Sequence, residues 1–412
     1  MDKRFILSPE ERHPIAVLDD ISLVRLPLGE HVALKSIKKR VRVAAGALLA
    51  MHSSPNEGDM HSPFNGVIKD LTATFIEIAR EDPPRTDAAT GESAAPVAAT
   101  AAKGADDAMP DPAAPVEPVS LDGLEPMALA ETLKRLGRSA RPFTRPCDVF
   151  IINCLNPEPG MLYAEELLAG YKPVIEAGFA LLRRLNNAPQ FILALPQGSS
   201  FTMEGAESRH LRPVYPISLA RPMIRAITGK EDTSRVTLVR LHALFQLGLV
   251  AESGLPLTHS VTTAFGANYL APLGTPVATL LELSGQAFTP GDALILGGAM
   301  RGVAISGTRR GIRKNDDAVV LVKKGGRPPL EDNPCINCGA CVSFCPMRLR
   351  PNMLSRYAEF EQYEACRAEY IEVCIECGMC GYICPMCRPM QQLFRMAKAN
   401  LGMRTLQHLL RQ

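Results

Sequence analysis

The sequence lacks the features that would place it across a membrane or on a nucleic acid. No apolar run in the 412 residues approaches the roughly 20 residues needed to span a bilayer. The formal net charge is only +2, which argues against a nucleic acid or a strongly acidic partner. The apolar stretch in the opening MDKRFILSPEERHP is too short for a secretory signal. We therefore expect a cytosolic protein, or one held on the cytoplasmic face of a membrane by partners.

Cysteine is scarce through most of the chain. Of twelve cysteines, only Cys147 and Cys154 precede residue 334. A disulfide framework would spread its cysteines over a small secreted domain, so this distribution argues against one. Cys147 and Cys154 flank the apolar run DVFIIN, where we expect each to act as a small buried hydrophobic residue.

Aromatic residues are absent from the segment 81–123, in which Ala, Pro, Asp and Gly dominate. Such a composition cannot bury enough apolar surface to offset the entropy lost on ordering. We expect a disordered linker there.

The remaining segments differ in their periodicity. Residues 1–80 alternate apolar and polar positions between Gly and Pro, which predicts short β-strands. Residues 124–235 alternate helical and strand patterns, which predicts a parallel α/β sheet. Residues 236–326 suggest a small β-grasp-like module with one helix at TPVATLLEL, and residues 327–412 hold the other ten cysteines among helical stretches. The predicted fold class is therefore a multidomain α/β plus β protein with a helical C-terminal domain.

Two cysteine runs carry the clearest chemistry. CINCGACVSFCP and CIECGMCGYICP both follow the spacing C-x₂-C-x₂-C-x₃-C-P. In two-cluster proteins the cysteine before Pro ligates the other cluster. The rule assigns two [4Fe-4S] clusters, here called cluster 1 (Cys335, Cys338, Cys341 and Cys384) and cluster 2 (Cys345, Cys374, Cys377 and Cys380). Zinc, which also takes four thiolates, is the alternative, although two copies ending in Cys-Pro argue against it. Cys366 and Cys387 lie outside the spacing, and we expect packing residues or spare thiols.

The chain resembles the C subunit of the Rnf electron-transport complex and, more distantly, the A subunit of the sodium-pumping NADH:quinone reductase. The resemblance rests on the cysteine runs together with HSPFNGVIKDL, DVFIINCLNPEPG, GTPVATLLEL and LILGGAMRGVAI. It implies a barrel-sandwich-like β domain, a central domain like the 51-kDa subunit of complex I, an SLBB-type β-grasp module and a two-cluster ferredoxin domain. It also implies a peripheral electron-transfer subunit on the cytoplasmic face of the membrane. The implied partners are the membrane subunits of the complex, a one-electron carrier (ferredoxin, flavodoxin or cytochrome) and NADH.

The resemblance also implies an FMN and NADH region in the central domain, formed here by Gly137, Glu158 and Gly160. The family's glycine-rich loop reads RLGRSARPFTRP in this chain, so only one of its glycines remains. Bulky side chains at Arg138, Arg141 and Pro142 would obstruct close backbone approach to a flavin phosphate. We therefore expect weak or absent FMN binding.

Two other functions compete with an electron relay. A soluble flavin and iron–sulfur reductase, of the cobalamin-reductase kind, could use the same architecture, and flavin in the purified chain would favour it. A non-catalytic scaffold could keep clusters only for folding, and redox-inert clusters would favour that.

Overall fold

A computed structural model describes residues 5–8, 11–54, 56–81, 111–230, 233–326 and 333–403. Most of the linker predicted at 81–123 lies outside the described residues. Within the described part the chain is a mixed α/β protein with both parallel and antiparallel sheets, as the sequence predicted.

The N-terminal segment forms two small antiparallel sheets, ordered β2-β8-β7-β4 and β3-β5-β6. Alternate residues of the longer strands, such as Val24, Ile68 and Ile78, are fully buried and form one core between the sheets. The strands are β1 (Ile15–Val17), β2 (Leu23–Pro27), β3 (Val32–Ala33), β4 (Arg42–Val43), β5 (Leu48–Met51), β6 (Met60–His61), β7 (Gly66–Leu71) and β8 (Phe75–Arg80).

The central segment builds a four-stranded parallel sheet, ordered β11-β10-β9-β12. The elements are α1 (Pro126–Arg135), α2 (Arg141–Thr144), β9 (Val149–Asn153), α3 (Ala164–Gly170), α4 (Lys172–Leu185), β10 (Gln190–Pro196), β11 (Glu207–Leu211), α5 (Ala220–Thr228), β12 (Val236–Arg240) and α6 (Leu241–Ser253). The sequence pattern predicted that residues from 236 onward belong to the following module. The structure instead pairs β12 in parallel with β9, because its apolar residues complete this sheet.

The two faces of this sheet are covered by different parts of the chain. Phe150 and Ile152 of β9 pack towards α4 and α6 in the largest core. Ile151 faces the other way, into a core that also contains Cys377 and Met379 of the second cysteine run. The cysteine segment therefore packs directly on the parallel sheet.

The next segment adds β13 (His259–Ala264), β14 (Ala267–Pro272), α7 (Val277–Leu283), β15 (Ala293–Leu296), β16 (Val303–Ile305) and β17 (Ala318–Val322). Its sheet, ordered β1-β14-β13-β17-β15-β16, borrows β1 from the N-terminal segment in a parallel pairing. Helix α7 buries Leu280 and Leu281 against Leu294 and Leu296 of this sheet.

The regular elements of the cysteine segment are all helical over its described residues, 333–403. They are α8 (Ala340–Ser343), α9 (Pro351–Glu359), α10 (Tyr363–Ala368), a 3₁₀ turn (Ile371–Val373), α11 (Met379–Tyr382) and α12 (Met390–Asn400). Helices α9 and α12 bury Leu354, Ala358, Phe394 and Ala397 between the cysteine loops.

Candidate iron–sulfur centres and an adjoining cavity

The eight cysteines of the two runs line two small cavities, four to each. One cavity is lined by Cys335, Cys338, Cys341 and Cys384. The other is lined by Cys345, Cys374, Cys377 and Cys380. Each cavity thus takes three cysteines from one run and the cysteine before Pro from the other. This is the grouping that the cross-ligation rule assigns to cluster 1 and cluster 2.

Left-handed glycines shape both cysteine loops. Gly339 (φ 77°) precedes α8 and Gly378 (φ 80°) precedes α11. Glycine adopts this conformation without the steric cost that a Cβ would impose. The turn directs the second and third cysteines of each run towards the same cavity.

The arrangement suits a cluster better than a single ion. Among the described residues, no group of three or more His, Cys, Asp or Glu side chains is placed to hold one metal ion. Zinc would require four thiolates at about 2.3 Å from one point. Burial raises the pKa of Cys377 to about 12, because the surrounding protein solvates its thiolate less well than water does. The four thiols that line each cavity are the ligand set of a [4Fe-4S] cube.

The two cysteine sets differ in their exposure to solvent. Cys338 of cluster 1 is exposed, whereas Cys377 and Cys380 of cluster 2 are buried. The loop of cluster 2 is fixed to the parallel α/β region, where the Tyr215 hydroxyl donates a hydrogen bond of 2.7 Å to the Cys377 carbonyl. A group held by the first cysteine set would therefore lie towards solvent, and one held by the second set would lie towards the interior.

The other four cysteines line neither of these cavities. Cys366 is fully buried in the core of the cysteine segment, and its thiol lies 3.6 Å from the Leu354 carbonyl. Cys387 is half-buried with a left-handed backbone (φ 49°). Cys154 is fully buried and Cys147 partly buried in the central α/β core.

A larger cavity, of about 610 Å³, opens where the parallel strands end. Pro157 and Glu158, which follow β9, and Arg240, which ends β12, line it. The carboxyl ends of parallel strands are the usual ligand position in such sheets. Ile375 lines both this cavity and the cavity of cluster 2, so the two cavities meet at this residue.

The predicted flavin-region residues meet this cavity only in part. Gly137 and Glu158 line it, whereas Gly160 is not among the lining residues. The buried Glu158 carboxylate accepts hydrogen bonds from the amides of Met300 (2.8 Å) and Arg301 (3.1 Å). Burial nevertheless raises the pKa of Glu158 to about 7, since these bonds only partly offset the loss of water.

In the loop around Gly137, the bulky side chains do not point into the cavity. The guanidinium of Arg138 turns back over the Phe143 ring, 5.0 Å from its centroid, and none of Arg138, Arg141 and Pro142 lines the cavity. These side chains therefore do not fill the cavity, and the expectation of weak or absent FMN binding stays a prediction. The loop is instead closed by its own backbone.

Several backbone groups of this loop already have partners. The amide of Gly137 donates to the Lys134 carbonyl (3.0 Å), and that of Arg138 donates to the Leu133 carbonyl (2.8 Å). Gly58 packs so closely that a Cβ added there would lie 2.2 Å from the Gly137 carbonyl carbon. A phosphate needs free amides and close access, and this loop offers little of either.

Sequence reasoning missed the residues that other segments bring to the cavity. His31 and His61 come from the N-terminal segment, and Lys314 comes from the segment before β17. Lys314 Nζ lies 2.9 Å from Glu57 and donates to the carbonyls of Gly58 (3.1 Å) and Gly137 (3.3 Å). No local sequence pattern predicts such contacts, because the partners lie far apart in the chain.

Comparisons with known proteins agree with this geometry. Residues 328–385 match the family model of the 4Fe-4S dicluster domain. The chain is 26% identical over 426 residues to the C subunit of the ion-translocating oxidoreductase complex of Rhodobacter capsulatus, covering 93% of this chain and 79% of that protein. The chain resembles the C subunits of ion-translocating oxidoreductase complexes. The resemblance predicted from the sequence is thus confirmed, and so is the expectation of an iron–sulfur domain.

Other relatives match over shorter stretches. The C subunit of the proton-translocating ferredoxin:NAD(+) oxidoreductase complex of Clostridium ljungdahlii is 27% identical, covering 56% of this chain and 55% of that protein. The C subunit of the ion-translocating oxidoreductase complex of Yersinia pestis bv. Antiqua is 30% identical, covering 61% of this chain and 44% of that protein. A solved structure of an NAD⁺-reducing [NiFe]-hydrogenase in the H₂-reduced state aligns with 66% of this chain and 63% of that chain, at 14% identity and a TM-score of 0.42.

Proposed function

We propose that this chain is the electron-transfer subunit of a membrane-bound, Rnf-like ion-translocating oxidoreductase complex and relays electrons through two [4Fe-4S] clusters. The observation that carries the proposal is the division of eight cysteines into two sets that exchange their fourth members. The similarity to the C subunit of such a complex over 93% of the chain supports the assignment. The proposed partners are the membrane subunits of the complex and a one-electron carrier, with attachment at the cytoplasmic face of the membrane.

The protein's own residues would act by holding and separating the two metal groups. A [4Fe-4S] cluster supplies one-electron transfer when it is bound. Cys335, Cys338, Cys341 and Cys384 would hold cluster 1 near solvent, where Cys338 is exposed. Cys345, Cys374, Cys377 and Cys380 would hold cluster 2 against the interior. Ile375 would exclude water between cluster 2 and the large cavity.

We also propose the finer domain assignment implied by the resemblance. Residues 1–80 would be a barrel-sandwich-like domain, 124–253 a complex-I-like α/β domain and 254–326 an SLBB-type module, with the ferredoxin domain at 327–412. The parallel pairing of β12 with β9 supports an α/β domain that extends past residue 235.

A soluble flavin-dependent reductase is the second candidate function. The 610 Å³ cavity favours it, because cavities of about 300–1,000 Å³ suit small ligands. The amides of Gly137 and Arg138 already donate to backbone carbonyls, so neither is free to bind an FMN phosphate. This favours the relay. Without a flavin, a hydride from NADH has no acceptor that could divide it into single electrons.

One experiment separates these functions. The full chain is purified anaerobically, and its iron, acid-labile sulfide and flavin are measured. NADH and then dithionite are added while cluster absorption is followed. The relay predicts about eight iron atoms, no stoichiometric flavin, and bleaching by dithionite but not by NADH. Stoichiometric FMN with prompt bleaching by NADH would establish the reductase instead, and zinc without sulfide would exclude both.

A further inference from the structure

The two halves of the cysteine segment are an internal repeat with an offset of 39 residues. Each cysteine of the second run lies 39 positions after its counterpart, so Asn337 corresponds to Glu376 and Glu359 to Lys398. The structure preserves the correspondence. Asn352 of α9 donates to the Asn337 side chain (3.0 Å), as its counterpart Gln391 of α12 donates to the Glu376 carbonyl (3.0 Å).

Two cations, the buried Lys398 and the half-buried Arg395, lie beside cluster 2. Lys398 Nζ, whose side chain is only 6% exposed, donates to the Cys374 carbonyl (2.6 Å) and to Glu376 (2.9 Å). Arg395 Nε also donates to Glu376 (3.1 Å). Two cations therefore surround one carboxylate, and Lys398 binds the backbone of a proposed cluster ligand.

The matching place beside cluster 1 is electrically balanced. Glu359, at the position of Lys398, accepts a hydrogen bond of 2.6 Å from the buried Arg388. The position of Glu376 is taken by the neutral, exposed Asn337. Arg356, at the position of Arg395, is exposed to solvent, where water screens its charge. Among the described residues of this matching place, Arg388 and Glu359 thus form one balanced pair.

The charge difference acts on the electron that each cluster would hold. A reduced cluster carries one more negative charge, so nearby positive charge raises its reduction potential, whereas burial lowers it. We infer that Lys398, with Arg395, raises the reduction potential of cluster 2 and offsets the burial of that cluster. With both clusters bound, an electron that passed between them would oxidise one and reduce the other, with no other reactant. This inference rests on the proposed function.

The test is a redox titration of the cluster-loaded full chain, followed by electron paramagnetic resonance. Lys398→Met removes the ammonium group and keeps an unbranched apolar side chain. At a fixed potential, the reduced-to-oxidised ratio of one cluster should fall about tenfold, or about 59 mV for a one-electron couple. The midpoint of the other cluster should not move. Lys398→Arg, which keeps the charge, should restore the wild-type midpoint.

Glu359→Gln is the matched variant in the first half of the repeat. It leaves Arg388 without its carboxylate, so it should raise the midpoint that Lys398→Met left unchanged. Glu376→Gln should raise the midpoint that Lys398→Met lowered. If Lys398→Met loses iron, the inference is tested by Glu376→Gln alone, which should raise the midpoint of one cluster above its wild-type value.

The inference is overturned if iron is intact and neither midpoint moves. It also fails if both move equally, or if Lys398→Arg lowers the midpoint as much as Lys398→Met. Absence of iron and sulfide from the wild-type chain would instead refute the proposed function, so the two failures are distinguishable.

Discussion

Cys345 lies in the first cysteine run but lines the cavity of cluster 2. We expect Cys345→Ser to damage cluster 2, because a cube that loses one of its four thiolates is weakly held. The electron paramagnetic resonance signal that survives should match that of Cys374→Ser and differ from that of Cys335→Ser.

Cys387→Ser provides the control for this exchange. Cys387 follows the second run closely but lines neither cysteine cavity, so this variant should keep all its iron. Identical surviving signals in Cys345→Ser and Cys335→Ser would contradict the exchange of fourth ligands.

Glu158 gives the cavity a pH dependence. Its pKa is raised from 4.5 to about 7 by burial, so the native state binds its proton more tightly than the unfolded state does. Stability should therefore fall as pH rises from about 4.5, and the loss should be complete above about pH 7. Glu158→Gln removes this pH-dependent contribution to the free energy of unfolding, which is on the order of 3 kcal/mol.

The measurement is the melting temperature of Glu158→Gln relative to wild type between pH 5 and pH 8. The difference should move in favour of the variant as pH rises. Glu364→Gln, which changes a carboxylate that is 75% exposed, serves as the control. A difference that stays constant with pH would show that Glu158 ionises as easily in the native state as in the unfolded chain.

Among the elements, the loop between β15 and β16 joins the cavity to cluster 2. Its Met300 amide binds Glu158, and its Met300 carbonyl accepts a hydrogen bond of 2.9 Å from Gln391 of α12. The Arg301 carbonyl accepts one of 3.1 Å from Arg395. The cysteine segment is therefore positioned by this loop as well as by the parallel sheet.

Gly378 and Gly339 form a matched pair for testing that docking. Both are left-handed, but a Cβ on Gly378 would lie 2.6 Å from the Met300 carbonyl oxygen, whereas one on Gly339 would meet nothing within 4 Å. Both Gly378→Ala and Gly339→Ala should introduce backbone strain of about 1 kcal/mol. Gly378→Ala should in addition displace the loop that contains Met300.

Hydrogen exchange distinguishes the two variants. The amides of residues 297–302 should exchange faster in Gly378→Ala than in wild type, and at the wild-type rate in Gly339→Ala. Equal protection in both variants would mean that the loop does not depend on contact with Gly378.

At the scale of the whole molecule, the prediction concerns the membrane attachment that we propose. The described residues contain no helix that is both long and apolar enough to cross a bilayer. The basic stretch 301–314 is not free for anionic head groups at its end, because Lys314 pairs with Glu57 (2.9 Å) and Arg313 with Asp316 (3.2 Å).

We therefore expect the protein to sediment with membranes only when its partner subunits are present. Isolated chain should not bind liposomes of anionic lipid at about 0.15 M salt, where charges are screened beyond about 8 Å. Membranes from cells that lack the partner subunits are the control. Tight liposome binding by the isolated chain would contradict attachment through partners.

The sequence by itself determined the chemistry of the cysteines and the resemblance to the C subunit of Rnf-type complexes. Ligand spacing within each run is local, so the two motifs could be recognised without a fold. The alternation of helix and strand likewise predicted a parallel sheet, because that periodicity is written in consecutive residues. The sequence placed the end of the α/β segment at residue 235, but in the structure this sheet continues into β12. The sequence could not show this, because β12 joins the sheet through a pairing with the distant β9.

Only the tertiary structure decided what surrounds these motifs. The amides of the Gly137 loop are already hydrogen-bonded, which the sequence does not reveal. Lys314 contacts residues far from it in the chain, and Ile375 lines two cavities built from different segments. The charge contrast between Glu359 and Lys398 is visible in the sequence, but its meaning depends on burial and on which backbone groups each side chain reaches. Burial and the approach of distant segments set electrostatic energies, and neither follows from the spacing of residues along a chain.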